Sequence, residues 1–386
     1  MRVISFFKRY LKYRLSFGYK RDVHTWVFGE WFGQRVGDNS TYLANYLADN
    51  YNNIKVYWLC HNACDTRMLS PNINIVDYNS PNAVNISKKA SVAIMNEGIR
   101  DLNESIVNYW GNAIKVNLWH GIAWKKIGYD ALKSKKKTIF EHMREQMYSY
   151  DYFVSPSDEY ASKIRTAFHA RENAFINAGY PRNSLFFDKN KCAECRKKIE
   201  SKINCSEAKI IVYLPTFRDS QTQTFSFTNI DNPSFTKWLV SNNVYIIQKA
   251  HFADENATNQ QNDRVLIIND VSAQELMAAS DMLITDYSSC FFDYLLLDRP
   301  IIHYIYDYEF YKNQDRGLYY DKQDVTCGPF PETESDLIKE IIRNIQQPEL
   351  FHELRMHRKE KFLTYENPNS CKTIIESLIK ELELKE

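Results

Sequence analysis

Two parallel-sheet α/β domains are predicted, and three observations carry that prediction. Short β-branched or apolar runs alternate with longer helical stretches, the pattern of βαβ units. The 386 residues leave room for two domains with full cores. A charged stretch with little apolar periodicity, Asp188–Glu207, falls near the middle and reads as a boundary.

In the first half, strands are expected near Ile54–Leu59, Ser91–Met95, Lys115–Trp119, Tyr152–Ser155 and Phe175–Ala178. In the second half they are expected near Ile210–Leu214, Val244–Gln248, Val265–Ile268, Met282–Thr285 and Ile301–Tyr304. Two such Rossmann-like domains facing a cleft form the two-domain nucleotide-sugar transferase architecture, GT-B. The expected division is a basic amphipathic segment 1–22, a first domain 23–187, a second domain 188–350, and helices 351–386 that pack back on the first. No internal repeat is visible.

Composition narrows the function. Net charge is +1, so nothing global points to nucleic acid. With 11 Gly and 11 Pro, the chain is neither linker-rich nor low in complexity. The cysteines at 60, 64, 192, 195, 205, 290, 327 and 371 are scattered, which fits a reducing cytoplasm. Cys192 and Cys195 make one C-x-x-C, but Cys205 alone does not complete a zinc ligand set, and no metal site is expected.

No apolar run reaches the ~20 residues a membrane-spanning helix needs, and charges break every candidate signal peptide. Residues 1–21 carry seven Lys or Arg and no acid, with Phe6, Tyr10, Tyr13 and Phe17 at helical spacing. Such a helix suits an anionic membrane surface. The plainer alternative is a helix packed on its own domain with a solvated basic face. A second basic cluster, Lys133–Lys137, is a candidate for steering an anionic polymer or lipid headgroups, or is simply a solvated loop.

Ligands of open α/β sheets bind outside the carboxyl ends of the strands. Five polar motifs fall there: Trp119-His120-Gly121, Gly179-Tyr-Pro-Arg-Asn183, Pro215-Thr-Phe-Arg-Asp219, Lys249-Ala-His251 and Thr285-Asp-Tyr-Ser-Ser289. Between them they bring two His, two Arg and a Lys, the residue types that phosphate chemistry uses. The last motif opens a strand–turn–helix run, Asp281–Asp293. There Ser288 and Ser289 stand at the expected helix start, which can hold phosphate, and Asp293 shares a face with Ser289 one turn on. An ordinary Asp/Ser helix cap is the plainer reading.

Arg218 offers a planar fork for phosphate oxygens and Lys249 a point charge. His120 can take a proton from a hydroxyl at neutral pH, and Gly121 beside it lets the backbone approach a ligand. His251 can donate to a leaving phosphate. A Walker loop, a G-x-G-x-x-G and a G-x-S-x-G are all absent, which argues against an NTPase, a dinucleotide cofactor and a serine hydrolase.

The segments NLWHGIAWKKIG (117–128), AGYPRN (178–183), VYLPTFRD (212–219), QKAH (248–251), DMLITDYSSCFFDYLLLDRPIIHYIYDYEFY (281–311) and RGLYYD (316–321) occur together and in order. As a set the sequence resembles the CDP-glycerol glycerophosphotransferases of teichoic-acid and capsule synthesis. The resemblance covers most of 110–325, while the first 100 residues share only general character. It implies a GT-B enzyme, cytoplasmic and peripheral on the inner face of the cell membrane. It implies transfer of glycerol phosphate, or ribitol phosphate, from a CDP-linked donor to a hydroxyl of a polymeric or lipid-linked acceptor, with release of CMP.

It further implies that the second domain binds donor and the first acceptor. His120 and His251 sit where the family has functional histidines. Gly121, Thr216, Arg218, Lys249, Thr285, Asp286, Tyr287, Ser288, Ser289 and Asp293 are the expected donor contacts. Trp124, Lys125, Pro181, Arg182 and Asp321 are the candidates for the acceptor or the cleft. No cofactor is required, although Mg²⁺ could assist through the donor phosphates. Two departures stand out: Phe252 follows the second histidine where the family usually has Pro, and Trp124 stands where it often has Leu. The rival readings are a GT-B sugar transferase using an NDP-sugar, which releases UDP or GDP, and a non-catalytic scaffold that binds polymer or membrane.

Overall fold

The computed structural model describes residues 2–131, 139–216, 225–249, 263–313 and 317–383. The chain forms two compact units. The first comprises Met1–His120, Gly128–Ser184 and Tyr365–Glu386, and the second Gly121–Ile127 and Leu185–Thr364.

The first unit is built on β1 (Asp22–Phe28), β2 (Lys55–Cys60), β3 (Asn74–Asp77), β4 (Ala90–Met95), β5 (Ile114–Asn117), β6 (Tyr152–Ser155) and β7 (Phe175–Asn177), in the order β3-β2-β1-β4-β5-β6-β7. The second carries β8 (Lys209–Leu214), β9 (Val244–Gln248), β10 (Val265–Ile267), β11 (Met282–Thr285) and β12 (Ile301–His303), in the order β10-β9-β8-β11-β12. Every pairing in both sheets is parallel. β1 is an inner strand: Trp26–Phe28 pair with Val56–Trp58 on one side and Val92–Ile94 on the other. Each sheet reverses its strand order once, between β1 and β4 and between β8 and β11. In folds of this kind ligands bind outside the carboxyl ends of the strands at such a reversal.

Parallel strands covered on both faces read as unbroken apolar runs. All six residues of β4 are buried, as are Ile210–Leu214 of β8. The helix Asn39–Asn50 starts at Asp38, whose carboxylate accepts the Asn39 N–H. It shares a core with the helix Ser370–Glu383, which buries Cys371, Ile374, Ile375 and Leu378 at helical spacing beside Trp26 and Trp58.

All ten expected strands are present, and those at 152–155, 244–248 and 282–285 have the bounds read from sequence. Two others were not anticipated. β1 begins Asp-Val-His with no buried residue and only its last four residues are buried, so its apolar signal is short. β3 is a four-residue edge strand. β5 ends at Asn117, because Trp119 turns the chain with a left-handed φ of 56°. The helix His352–Phe362 stays with the second unit, where Arg355 donates to Asp298, and the chain rejoins the first unit only from Tyr365. Cys192 and Cys195 lie on the helix Lys189–Lys202. Among the described residues, no cluster of three or more His, Cys, Asp or Glu could hold a metal ion.

The N-terminal helix, Arg2–Leu15, uses its aromatic stripe differently from the sequence reading. Tyr13 is 4% exposed, and Phe6 and Tyr10 pack against the same first-unit core. The Tyr10 and Tyr13 hydroxyls donate to Gln146, and Arg9 donates to the Glu104 carbonyl. That stripe therefore attaches the helix to its own unit. A second stripe, Ile4, Phe7, Leu11 and Leu15, faces out, with Leu11 60% exposed. Among the described residues no helix is long and apolar enough to cross a membrane.

The segment Gly121–Ile127 inserts Trp124 into the interior of the second unit. Its indole N–H donates to the Tyr320 carbonyl at 2.9 Å, and its rings lie against Tyr287 and Phe291. Lys125 pairs with Leu318 as an antiparallel bridge, and the Lys126 N–H donates to the Gly317 carbonyl. The acceptor role considered for Trp124 is thus replaced by a packing role. Trp124→Ala should destabilise the second unit by about 3–5 kcal/mol, read as a lower denaturant midpoint, because it leaves a large void and an orphaned carbonyl.

Candidate active site

At the strand reversal of the first unit, a buried carboxylate holds two loops together. Asp101 accepts the N–H of Phe32 from the loop after β1, and those of Asn96, Glu97 and Gly98 from the loop after β4. Burial pushes the Asp101 carboxyl up to about 6, and its backbone donors oppose that rise.

This network places Glu97 beside His120, which follows β5. His120 Nδ1 lies 2.8 Å from Glu97 Oε2; the side chains are 34% and 12% exposed. Burial lowers the imidazole pKa, but the Glu97 carboxylate, with help from Asp38, outweighs it and holds His120 above its ordinary value, while Arg182 opposes. With Nδ1 facing a carboxylate, Nε2 is the nitrogen left for a substrate proton. The turn around the histidine is confined: Trp119 N–H donates to Asn117 Oδ1, its carbonyl accepts from Asn39 Nδ2, and Gly121 has φ 138°, where a side chain would be strained.

The loop after β1 completes this edge. Glu30 is fully buried and accepts from the Asp38 N–H, the Thr41 N–H and the Thr41 hydroxyl. Burial and the neighbouring Asp38 carboxylate push its pKa up. The Arg35 guanidinium sits 3.7 Å over the Trp31 ring, and Trp31 lies 6.3 Å from the His120 ring.

The Gly-Tyr-Pro-Arg-Asn motif proves to be internal. Tyr180, Pro181, Arg182 and Asn183 are buried. Arg182 pairs with Asp38 at 2.6 Å, while the Tyr180 N–H and the Asn183 amide donate to Glu366. A Cβ at Gly179 would lie 2.2 Å from a Glu366 carboxylate oxygen, so a larger residue there would have to displace that side chain. Pro181 and Arg182, candidates for the acceptor, are thus buried, with Arg182 committed to Asp38, while their neighbours Tyr180 and Asn183 tie the returning C-terminal segment through Glu366.

In the second unit, Asp286 gathers the loops at the reversal between β8 and β11. Its Oδ1 accepts the Thr216 N–H and hydroxyl and the Tyr287 N–H. The Thr285 hydroxyl donates to the Leu214 carbonyl, and the Tyr287 hydroxyl to Asp307. Thr285, Asp286 and Tyr287 are buried, whereas Ser288 and Ser289 are half-exposed. The helix they open, Cys290–Tyr294, has five residues and no side-chain cap. So short a helix sums little dipole, and the turn's offer to a ligand is its serine hydroxyls.

Two donor contacts expected from sequence are engaged elsewhere. Asp293 is fully buried and accepts from Gln274, which is at odds with a ribose contact. The Lys249 ammonium donates to the carbonyls of Asn269 and Val271. Asp321 is exposed, accepts from Lys312 and Tyr308, and is held below the usual carboxylate range, chiefly by Lys312. Arg218, His251, Phe252 and the Lys133–Lys137 cluster lie outside the described residues.

Sequence reasoning missed Glu97, Glu30, Trp31 and Arg35. Glu97 was within reach, because it stands two residues beyond the strand expected at Ser91–Met95. The other three required β1, whose weak pattern hid the reversal point.

A family model described as CDP-glycerol:poly(glycerophosphate) glycerophosphotransferase matches residues 11–380. A teichoic acid poly(glycerol phosphate) polymerase of Bacillus spizizenii is 31% identical over 281 residues, 69% of this chain and 70% of that protein. A teichoic acid glycerol-phosphate transferase of Staphylococcus aureus is 29% identical over 273 residues, 68% and 70% of the two chains. The solved structure of the wall teichoic acid polymerase TagF has a TM-score of 0.80 at 23% identity, covering 100% of this chain and 96% of that one. That likeness speaks for the fold.

Glu97→Gln should lower the His120 pKa, read from the pH titration of its ring C–H signals by NMR. With the carboxylate gone, burial is the largest remaining influence and acts downward. A titration midpoint unchanged from wild type would show that Glu97 does not tune the imidazole.

Proposed function

The chain belongs to the CDP-glycerol:poly(glycerophosphate) glycerophosphotransferase family, and we propose that its second unit holds the CDP-linked donor while its first presents an acceptor hydroxyl to His120. The observation that carries this reading is the Glu97–His120 pair at the carboxyl edge of the first sheet, with part of the imidazole still exposed. A carboxylate on Nδ1 fixes the ring tautomer and makes Nε2 a stronger base.

The acceptor oxygen loses its proton to His120 Nε2 and attacks the β-phosphorus of CDP-glycerol. A new P–O bond forms, the pyrophosphate P–O bond breaks, and CMP leaves with the bonding electrons. Ser288, Ser289 and Arg218 grip the pyrophosphate, with Thr216 and Asp286 shaping the turn around it. Lys249 and Asp293 have no place in this grip, given their internal partners. Positioning and electrostatic stabilisation carry most of such chemistry.

The outward stripe Ile4, Phe7, Leu11 and Leu15, flanked by exposed Lys8, Lys12 and Arg14, rests on the anionic inner face of the cell membrane. There it meets lipid-linked acceptors.

His120→Asn should lower CMP release from CDP-glycerol by about 10²–10⁴-fold while donor affinity stays near wild type. Near-normal turnover would remove His120 as the base. Running the assay with CDP-ribitol and with UDP- and GDP-sugars distinguishes the polyol and the sugar-transferase alternative. Leu11→Glu should weaken co-sedimentation with anionic vesicles by about tenfold or more, since it removes an exposed leucine that would insert into the bilayer and adds a repelled charge. Vesicle binding equal to wild type would remove the helix as the membrane contact.

A further inference from the structure

β12 ends on a histidine that has no role in the reaction as proposed. His303 is fully buried. It pairs in register with Thr285 of β11, and the next N–H, that of Tyr304, donates to the Thr285 carbonyl at 2.7 Å. Its ring meets Phe291 of the helix Cys290–Tyr294 edge to face, with centroids 4.7 Å apart, and Trp124 at 6.4 Å. The imidazole therefore lies beside the turn that links β11 to that helix, the turn that carries Asp286, Ser288 and Ser289.

A phenylalanine would serve this packing, so the two ring nitrogens hold what the imidazole adds. The Cys327 N–H donates to Nε2 at 3.0 Å, so Nε2 carries no proton. Burial pushes the pKa down to about 3, so the ring is neutral at ordinary pH and its one proton sits on Nδ1. Nδ1 is sealed from solvent and makes no hydrogen bond of ordinary geometry. Two groups nonetheless favour a proton on the ring, the Asp286 main chain and the Asp286 carboxylate. A main-chain group that favours a proton is an acceptor, and Nε2 is already taken. Nδ1–H therefore faces the Asp286 carbonyl.

The Asp286 carboxylate already joins the loops after β8 and β11. The imidazole reaches the same residue from a third segment, the one that follows the helix Lys322–Val325. That segment is fixed on β12 a second time, because the His303 N–H donates to the Pro329 carbonyl at 2.9 Å.

We propose that His303 is a positioning residue for the serine turn: it links the Cys327 N–H at one end to the Asp286 carbonyl at the other, and so fixes where Ser288 and Ser289 present their hydroxyls. The proposal rests on the reading that this turn grips the donor pyrophosphate. An imidazole suits the task because it is rigid, accepts at one nitrogen and donates at the other. Sealed and neutral, it shuttles no proton.

Three variants separate the two ends. His303→Asn puts an amide N–H in the place of Nδ1 and leaves the Cys327 N–H without its acceptor. His303→Gln puts a carbonyl oxygen in the place of Nε2 and leaves the Asp286 carbonyl without its donor. His303→Phe keeps the ring and loses both. CDP-glycerol affinity and amide hydrogen exchange at residues 287–289 are measured on the full chain, with the unfolding midpoint to show that each variant is folded. His303→Phe and His303→Gln should weaken affinity by about tenfold and speed exchange at the turn by a similar factor, while His303→Asn stays within about threefold of wild type.

Wild-type affinity and exchange in His303→Gln overturn the proposal. Rescue by Gln with loss in Asn overturns it too, since that is the pattern of a brace for the Cys327 segment alone. A purely packing role predicts that His303→Phe matches wild type, which has the same effect. Failure of the donor reading is separately visible: wild type would bind no CDP-glycerol, while exchange at the turn still rose in His303→Gln and His303→Phe.

Discussion

The Asp101 carboxylate is the constraint on which the first unit's active edge depends. Four backbone donors from two loops converge on it, one from the loop after β1 and three from the loop after β4. A buried carboxylate with several N–H donors defines direction as well as distance, because each donor must point at one of two oxygens. Removing it from water is costly, which is why its pKa rises. In return, Glu97 is fixed beside His120, and the Trp31 ring is fixed 6.3 Å from the same imidazole.

The second unit solves the same problem with Asp286. Its carboxylate joins the loop after β8, through Thr216, to the loop after β11, through Tyr287. In both units an acidic residue at the strand-order reversal therefore braces two loops. What each brace positions differs. In the first unit it is an imidazole–carboxylate pair, suited to proton transfer. In the second it is a turn with two half-exposed serines, suited to gripping phosphate oxygens. The division matches a reaction in which one substrate must lose a proton and the other must shed a nucleotide.

Much of this was legible before any coordinates. His120 stood out because a strand end, a following glycine and an imidazole coincide, and all three are local properties. The pairing of His120 with Glu97 was not legible, because it joins residues after different strands and depends on β4 and β5 being neighbours in the sheet. The motif Gly179–Asn183 shows the converse. Its polar residues looked like a ligand surface, but Arg182 is committed to Asp38 and Asn183 to Glu366, partners more than a hundred residues away. Trp124 likewise read as a pocket residue and is instead an anchor in the second unit.

By itself the sequence determined the two parallel sheets, the family and the strand ends at which chemistry sits. Apolar runs, helical spacing and turn residues act over a few positions, and a family's motifs are strings. The tertiary structure alone decided which polar residues remain available. Burial and partner choice depend on what distant segments bring alongside, and a buried polar group must find a partner whatever its motif suggests. Long-range partners thus moved Lys249, Asp293, Arg182 and Trp124 into supporting roles, and brought Glu97 and Trp31 to the edge beside His120.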